Sequence, residues 1–423
     1  MKKILLLVCL CLTTIAVSAS PDISCSSDGK RYTFTGVDYV FMFSSITPAT
    51  TTITYNGPYA DINSITWSKF TNGTSTTFST GQSSISPDDA TGYTLTVDGV
   101  KIADIWVIDY NNYKPVLTGI TPQDNADKCS NVDLKIDATI PSLTYQTPGG
   151  LTKTILRNFN IEYHTLSWGG TKWVDSTVTV KPTSPISIPY TVKAPYQATT
   201  FKLSGDQYAD ALGITITPIE SITYTPLAVI CHETSIVVTR NATNEAERPT
   251  SAKQVTGSAP LPMTFYSNPN DPIVTFYNWQ IFKDKSKTSL ISGRIEKTTP
   301  YTFDEAGSYV VKVTVSNGST CSYSDSITVT VSTSSIEAPN VFTPNGDGHN
   351  DEFRVAYKSI IQFDAWVYNR WGRLVYKWSD PMKGWDGNIG GTKAAAGAYF
   401  YVIKAVGADG KKYKLKGDIN LLR

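Results

Sequence analysis

The sequence predicts an all-β chain of tandem sandwiches, and three observations carry that prediction. Thr, Ser, Tyr, Val and Ile abound while charged residues are only 17% of the 423, a composition that suits strands and turns. Helical periodicity is nearly absent, and short alternating segments bounded by Gly, Pro, Asn and Asp take its place. Cys25, Cys129 and Cys231 recur at intervals of 104 and 102 residues, each near the start of a strand-like run. That interval is the size of one two-sheet sandwich, about 100 residues.

The chain opens with Met1-Lys2-Lys3 and an apolar run from Ile4 to Val17, which contains Cys9 and Cys11. The run is shorter than the roughly 20 residues a spanning helix needs. Val17-Ser18-Ala19 places small residues for cleavage after Ala19, so residues 1–19 are expected to be a signal peptide. The remaining ~400 residues exceed one hydrophobic core. Pro- and Ser-rich stretches near 113–127, 225–231 and 332–338 have linker composition, which gives expected units at 20–115, 116–228, 229–333 and 335–423.

The third unit is the most legible. Tyr309, Val311, Val313 and Val315 alternate with outward residues, Gly307 relieves crowding at the strand entrance, and Trp279 stands upstream as a core residue. With Thr302-Phe303-Asp304-Glu305-Ala306-Gly307, this pattern resembles the final hairpin of a PKD domain, an immunoglobulin-like sandwich. The usual Asp-Gly turn after the Trp is replaced by Phe282-Lys283-Asp284-Lys285, so a longer hairpin is expected there. In the first unit Trp67 precedes Tyr93 by 26 residues, against 30 from Trp279 to Tyr309, which reads as a divergent copy of the same sandwich. The second unit has strand-like runs at 134–140, 155–166, 176–180 and 199–203, and only a β-sandwich is expected.

The tail reads as a small β module. Pro344-Asn345-Gly346-Asp347-Gly348 collects residues that tolerate positive φ or bond their own backbone, so a sharp loop is expected. Segments 363–368 and 373–378 alternate on either side of Trp371-Gly372, as a hairpin would, and Tyr399 to Ile403 suits a covered strand. The ordered marks Thr343-Pro344-Asn345-Gly346-Asp347-Gly348, Asn369-Arg370-Trp371-Gly372, Trp385-Asp386-Gly387 and Gly417 resemble the gliding motility-associated C-terminal domain. That is the type B sorting domain of type IX secretion substrates. The resemblance spans about 337–423 and implies crossing of the outer membrane, recognition by type IX outer-membrane translocon components, and an extracellular or cell-surface destination. Asn345, Asp347 and Asp351 also suggest part of a calcium loop. Thr343 and Arg354 stand where its first acidic ligand and its closing Glu belong, so a self-capped Asx turn is the favoured reading.

Formal net charge is +1, which argues against nucleic acid as a partner. The charge is uneven: 335–423 carries 13 Lys and Arg against 9 Asp and Glu, whereas 21–334 carries 22 against 27. A basic tail of this kind favours an acidic surface. In an oxidising compartment disulfides are expected. If Cys231 begins the first strand of the third unit and Cys321 its last, the two lie at the same end of adjacent parallel strands, so Cys231–Cys321 is the expected bond. Cys25 and Cys129 are left without a reconciled pairing.

His164, His232 and His349 fall in separate units, and no nucleophile elbow, zinc helix or phosphate loop is present. No cofactor and no catalysis are expected. Trp106, with Trp168 and Trp173 around Gly169-Gly170, suggests an aromatic platform for sugar rings, although core or edge packing explains such residues more simply. The reading is a non-catalytic secreted or surface protein, an adhesin or structural spacer with a polysaccharide or surface-protein ligand. The alternative is a carbohydrate-binding protein or an accessory to surface polysaccharide-degrading machinery.

Overall fold

The computed structural model describes residues 23–240, 243–247, 254–318 and 320–423, so the expected signal peptide lies outside the described residues. Alternation along each strand sets one face against a partner sheet, and the units differ mainly in what covers the other face. In the first unit, Ile23–Cys25, Ile53–Tyr55 and Ser84–Ile85 form a three-stranded sheet. It faces a six-stranded sheet in the order Gly29–Phe34, Val37–Phe43, Val100–Asp109, Thr91–Val97, Thr66–Thr71 and Thr74–Thr80. Val37–Phe43 runs parallel to Val100–Asp109, and the other pairs are antiparallel.

The third unit repeats this plan. Thr234–Val237, Leu261–Tyr266 and Thr298–Phe303 make one sheet. Gln254–Gly257, Ser322–Val331, Gly307–Ser316, Phe276–Phe282 and Leu290–Arg294 make the other, again with one parallel pair at the last strand. Trp67 and Trp279 are fully buried at matching positions, and their indole N–H groups donate to Gln82 O at 2.9 Å and Glu296 O at 2.8 Å. The first unit is thus the same sandwich with one added edge strand. The long hairpin expected after Trp279 is present, closed by the Asp284 carboxylate accepting from the Thr288 and Ser289 N–H groups.

The second unit has a different arrangement. Val116–Asp124, Asn131–Thr139 and Tyr190–Lys193 form one sheet, and Trp173–Val180, Asn160–Trp168, Lys202–Ser204 and Ile219–Glu220 the other. Ile120, Leu134, Ile161, Phe201 and Leu203 fill the space between them.

Each junction is closed by specific contacts. Between the first two units, Val40, Met42, Phe70 and Trp106 share one core with Leu143, Tyr145, Ile155 and Tyr208. At its centre, Arg157 Nε donates to Asp206 at 2.6 Å, Arg157 Nη2 donates to Tyr110 Oη at 2.7 Å, and Tyr110 donates to Asp206. Between the third and last units, the Ser359 N–H donates to Ser258 Oγ at 2.7 Å and the Ala259 N–H to Ser359 Oγ at 3.1 Å, both serines fully buried. Asn244 Nδ2 adds bonds to Val355 O and Pro381 O.

The second and third units are joined by a disulfide, and this corrects the expected Cys231–Cys321 pair. Cys321 is bonded to Cys129, 192 residues away, with Cα atoms 5.3 Å apart. The expectation failed because Cys231 does not begin the strand that runs parallel to the last one. That partner is Gln254–Gly257, whereas Cys231 bridges Pro269 beside the opposite sheet. Cys129 sits in the turn before Asn131–Thr139 and packs on the third unit's core. Cys231 is left as a buried free thiol, pushed up to about 12 by burial and by the nearby Asp325 and Glu233 carboxylates.

Candidate functional site

The tail beyond Ser334 builds a third version of the two-sheet plan. Ser335–Glu337 pairs with Ala356–Lys358 in one small sheet. The larger sheet runs Val341–Phe342, Lys412–Leu421, Gly397–Gly407, Ile360–Tyr368 and Leu374–Trp378, with Val341–Phe342 parallel to the last strand. Tyr399 Oη reaches back to Ala395 O at 2.9 Å, as Tyr309 does to Glu305 O at 2.7 Å, so both units pin the strand entrance in one way. Phe342, Phe353, Phe363, Val367, Ile403 and Trp385 form the core.

The residues singled out in the sequence separate into three groups. Trp385, Gly387 and Gly417 shape the interior. Trp385 is fully buried and donates to Asn388 O at 2.8 Å, while Asp386 accepts from the Asn388 N–H at 2.9 Å. Gly387 has φ +74°, and a Cβ there would stand 3.0 Å from Pro344 and 3.2 Å from Leu421. At Gly417 a Cβ would meet the Tyr401 hydroxyl at 2.9 Å. No larger residue fits these two positions without a shift.

The second group, Thr343 to Gly348 with Asp351, closes a loop on itself. Asp351 takes the Gly346 N–H at 2.7 Å and the Gly348 N–H at 2.8 Å, one on each oxygen, and these bonds hold its carboxyl below the usual range. Asp347 accepts from the His349 N–H and from Asn345 Nδ2, both at 2.8 Å, while Asn345 Oδ1 accepts from the Asp347 N–H at 3.1 Å. The Thr343 N–H donates to Asn350 O at 2.8 Å. Asn345, Asp347 and Asp351 each accept N–H groups of the loop, the bonding pattern of an Asx turn. Among the described residues no group of three His, Cys, Asp or Glu side chains converges as metal ligands would.

The third group is a hairpin tip. Asn369 Oδ1 accepts from the Trp371 and Arg373 N–H groups, both at 3.0 Å, and Gly372 follows at φ +78°. This turn pushes Trp371 into solvent, where 75% of it is exposed, with the Arg370 guanidinium 4.4 Å from its ring centroid.

The suggested platform at Trp168 and Trp173 is corrected by its surroundings. The two rings meet edge to face at 5.2 Å. Trp168 stacks on the His232 ring at 4.2 Å, and Trp173 Nε1 donates to Asn268 O at 2.8 Å. Both contacts cross into the third unit, so the rings belong to a junction and offer no shared flat face. Trp106 is buried in the shared core of the first two units.

Sequence reasoning missed the Arg157–Asp206–Tyr110 cluster, whose members lie up to 96 residues apart. It also missed the Cys129 bond and the outward face of the larger C-terminal sheet. Only the last left a trace in the sequence, the alternation Lys412, Lys414, Lys416 against Tyr413 and Leu415.

Residues 336–421 match the CHU_C type IX secretion signal domain. The tail of this chain is thus a type IX sorting domain, and it marks the chain for export to the cell surface or the extracellular space. Residues 121–221 match a fibronectin type III domain, which agrees with the second sandwich. No curated protein matches the chain. Among solved structures, a tetra-tandem repeat from the extending region of a large adhesion protein is 10% identical, covering 90% of this chain and 98% of that one at a TM-score of 0.20. A Ca2+-stabilized adhesin by which an Antarctic bacterium binds ice is 12% identical over 88% and 93%, at 0.19. Dimeric latent PorU from Porphyromonas gingivalis is 11% identical, covering 78% of this chain and 35% of that one, at 0.16. Among the described residues no helix is long and apolar enough to cross a membrane.

Proposed function

We propose that the chain is a non-catalytic adhesin or structural spacer, secreted or displayed at the cell surface, whose sorting domain is read by outer-membrane translocon components. The observation that carries this reading is the closure of every junction: a shared core, a disulfide and a set of buried backbone bonds. Fixed junctions transmit force and hold a distal unit at a set place, which a spacer or adhesin requires and a set of loosely tethered units does not provide. The third unit, and the first as its copy, are assigned as PKD-like on the Trp279 and Tyr309 pattern and the common strand order.

The export half is tested by truncation. A chain ending at Ser334 should accumulate in the periplasm, and residues 335–423 should carry a reporter outside the cell. Normal surface display of the truncated chain would overturn the assignment. The adhesive half is tested by cell aggregation and surface attachment in a strain lacking the protein. Unchanged attachment to abiotic, glycan and matrix surfaces would remove it.

A further inference from the structure

The outward face of the larger sheet in the sorting domain carries a pattern that the core of the domain does not require. The strand registers place four rows on that face. Leu374, Tyr368, Phe400 and Asp418 form the first, and Lys377, Trp366, Val402 and Lys416 the second. Asp364, Lys404 and Lys414 form the third, and Gln362, Val406 and Lys412 the fourth. Every one of these side chains points away from the core, which takes the alternate positions Phe363, Ala365, Val367, Ile403 and Ala405. Five lysines therefore stand against two aspartates on one flat surface. Phe400 is 48% and Leu374 47% exposed, and no other part of the described chain covers them.

Lysines on the thinly paired strand Lys412–Leu421 would by themselves be read as guards against edge-to-edge pairing. Three facts exceed that role. Lys404 lies on an inner strand and Lys377 on the opposite edge, so the charge spans the sheet. Both ammonium groups approach the Trp366 ring, at 5.7 and 5.5 Å from its centroid, which interleaves cations with aromatic surface. A depression of about 280 Å³ opens between Asp364, Lys404, Lys412 and Lys414.

We propose that this face binds an acidic polysaccharide, with the lysines pairing its carboxylate, sulfate or phosphate groups and Tyr368 and Phe400 packing against its sugar rings. Charge complementarity requires an anionic partner. The rows lie about 7 Å apart along the strands and about 4.8 Å across them, a regular grid suited to a polymer with repeating charge. Protein-protein interfaces are depleted in lysine, which favours the polymer over an acidic protein surface. The inference does not depend on the export reading, since it concerns binding by the finished chain.

The test uses the purified full-length mature protein in affinity electrophoresis and biolayer interferometry, with polygalacturonate, dextran sulfate, neutral dextran and polyglutamate as probes. Binding to the two acidic polysaccharides, none to neutral dextran, and a steep loss with added salt are expected. K404E/K414E should weaken binding at least about tenfold, and Y368A/F400A several-fold, with circular dichroism and melting unchanged. These positions are outward-facing, so the folded state is retained. Wild-type affinity in K404E/K414E, or no binding to either acidic polysaccharide, would overturn the proposal. Polyglutamate bound as tightly as polygalacturonate, or Y368A/F400A indistinguishable from wild type, would overturn the polysaccharide assignment and point to an acidic protein surface. Failure of export in a sorting-domain deletion bears on neither result, so the two readings fail separately.

Discussion

Replacing Asp206 by Ala should be the most damaging single change in the first half of the chain. Its carboxylate is fully buried and faces an Arg157 side chain of 1% exposure, with Tyr110 Oη donating to it and the Tyr208 and Ala209 N–H groups capped by the same carboxylate. Removing one partner of a buried ion pair leaves the other charge uncompensated, at a cost of about 3–5 kcal/mol. Loss of the cap adds about 1 kcal/mol, although neighbouring terms do not simply sum. With a urea slope of about 2 kcal/mol/M, the midpoint should fall by about 2 M. Because Tyr110 belongs to the first unit and Arg157 and Asp206 to the second, amide exchange in both units should accelerate together. R157M/D206N removes the stranded charge and should recover at least half of the loss. A midpoint change under about 0.5 M, or a double variant no better than D206A, would refute the claim that this cluster holds the junction.

Peptide mapping under non-reducing conditions should recover Cys129 linked to Cys321 and Cys231 as a thiol; C129S/C321S should lose up to about 5 kcal/mol in the chain-entropy account of a loop this long. G387A should lower sorting-domain stability by roughly 1–3 kcal/mol in thermal melts, since it combines positive φ with a contact at 3.0 Å; a neutral result would mean that Pro344 yields freely. Asp351 is held below its ordinary 3.8 by the Gly346 and Gly348 N–H groups, so its stabilisation is present above about pH 4 and lost as pH falls through the folded value. D351N should therefore melt below wild type near neutral pH, with the gap closing in strong acid, and a gap constant with pH would show that the carboxylate charge plays no part.

The sequence was most readable where structure is set by neighbours along the chain. The alternation at Tyr309, Val311, Val313 and Val315 marks the right buried face. The Asn, Asp and Gly residues of 345–351 and 369–372 form real loops, because an Asx side chain bonds the backbone two residues on whatever the distant context. The cysteine intervals misplace the bond. Spacing tells how often a sandwich begins, whereas pairing depends on which sheet receives each strand, and Cys231 went to the other sheet. Trp168 and Trp173 read as exposed because a Gly-Gly turn lies between them. What the sequence does not carry is that His232 and Asn268 of the next unit come to meet them.

The first, third and last units share one strand order with a single parallel pair at the last strand, so the sandwich itself does not distinguish an address from its cargo. The difference lies in what the plan leaves outside. In the first unit the outer face of the large sheet carries Val40, Met42, Phe70 and Trp106 and is consumed by the junction with the second unit. In the last unit the corresponding face carries lysines and exposed rings, and no other described unit meets it. The marks by which the tail resembles a type IX sorting domain also separate by role. Trp385, Gly387 and Gly417 are needed for this fold to close, whereas Trp371 is held outward by Asn369 and contributes little to the core. Substitutions in the first set should impair export by unfolding the domain, and those in the second should impair it, if at all, with the fold intact. A melting curve beside a secretion assay therefore separates residues that build the signal from residues that are read.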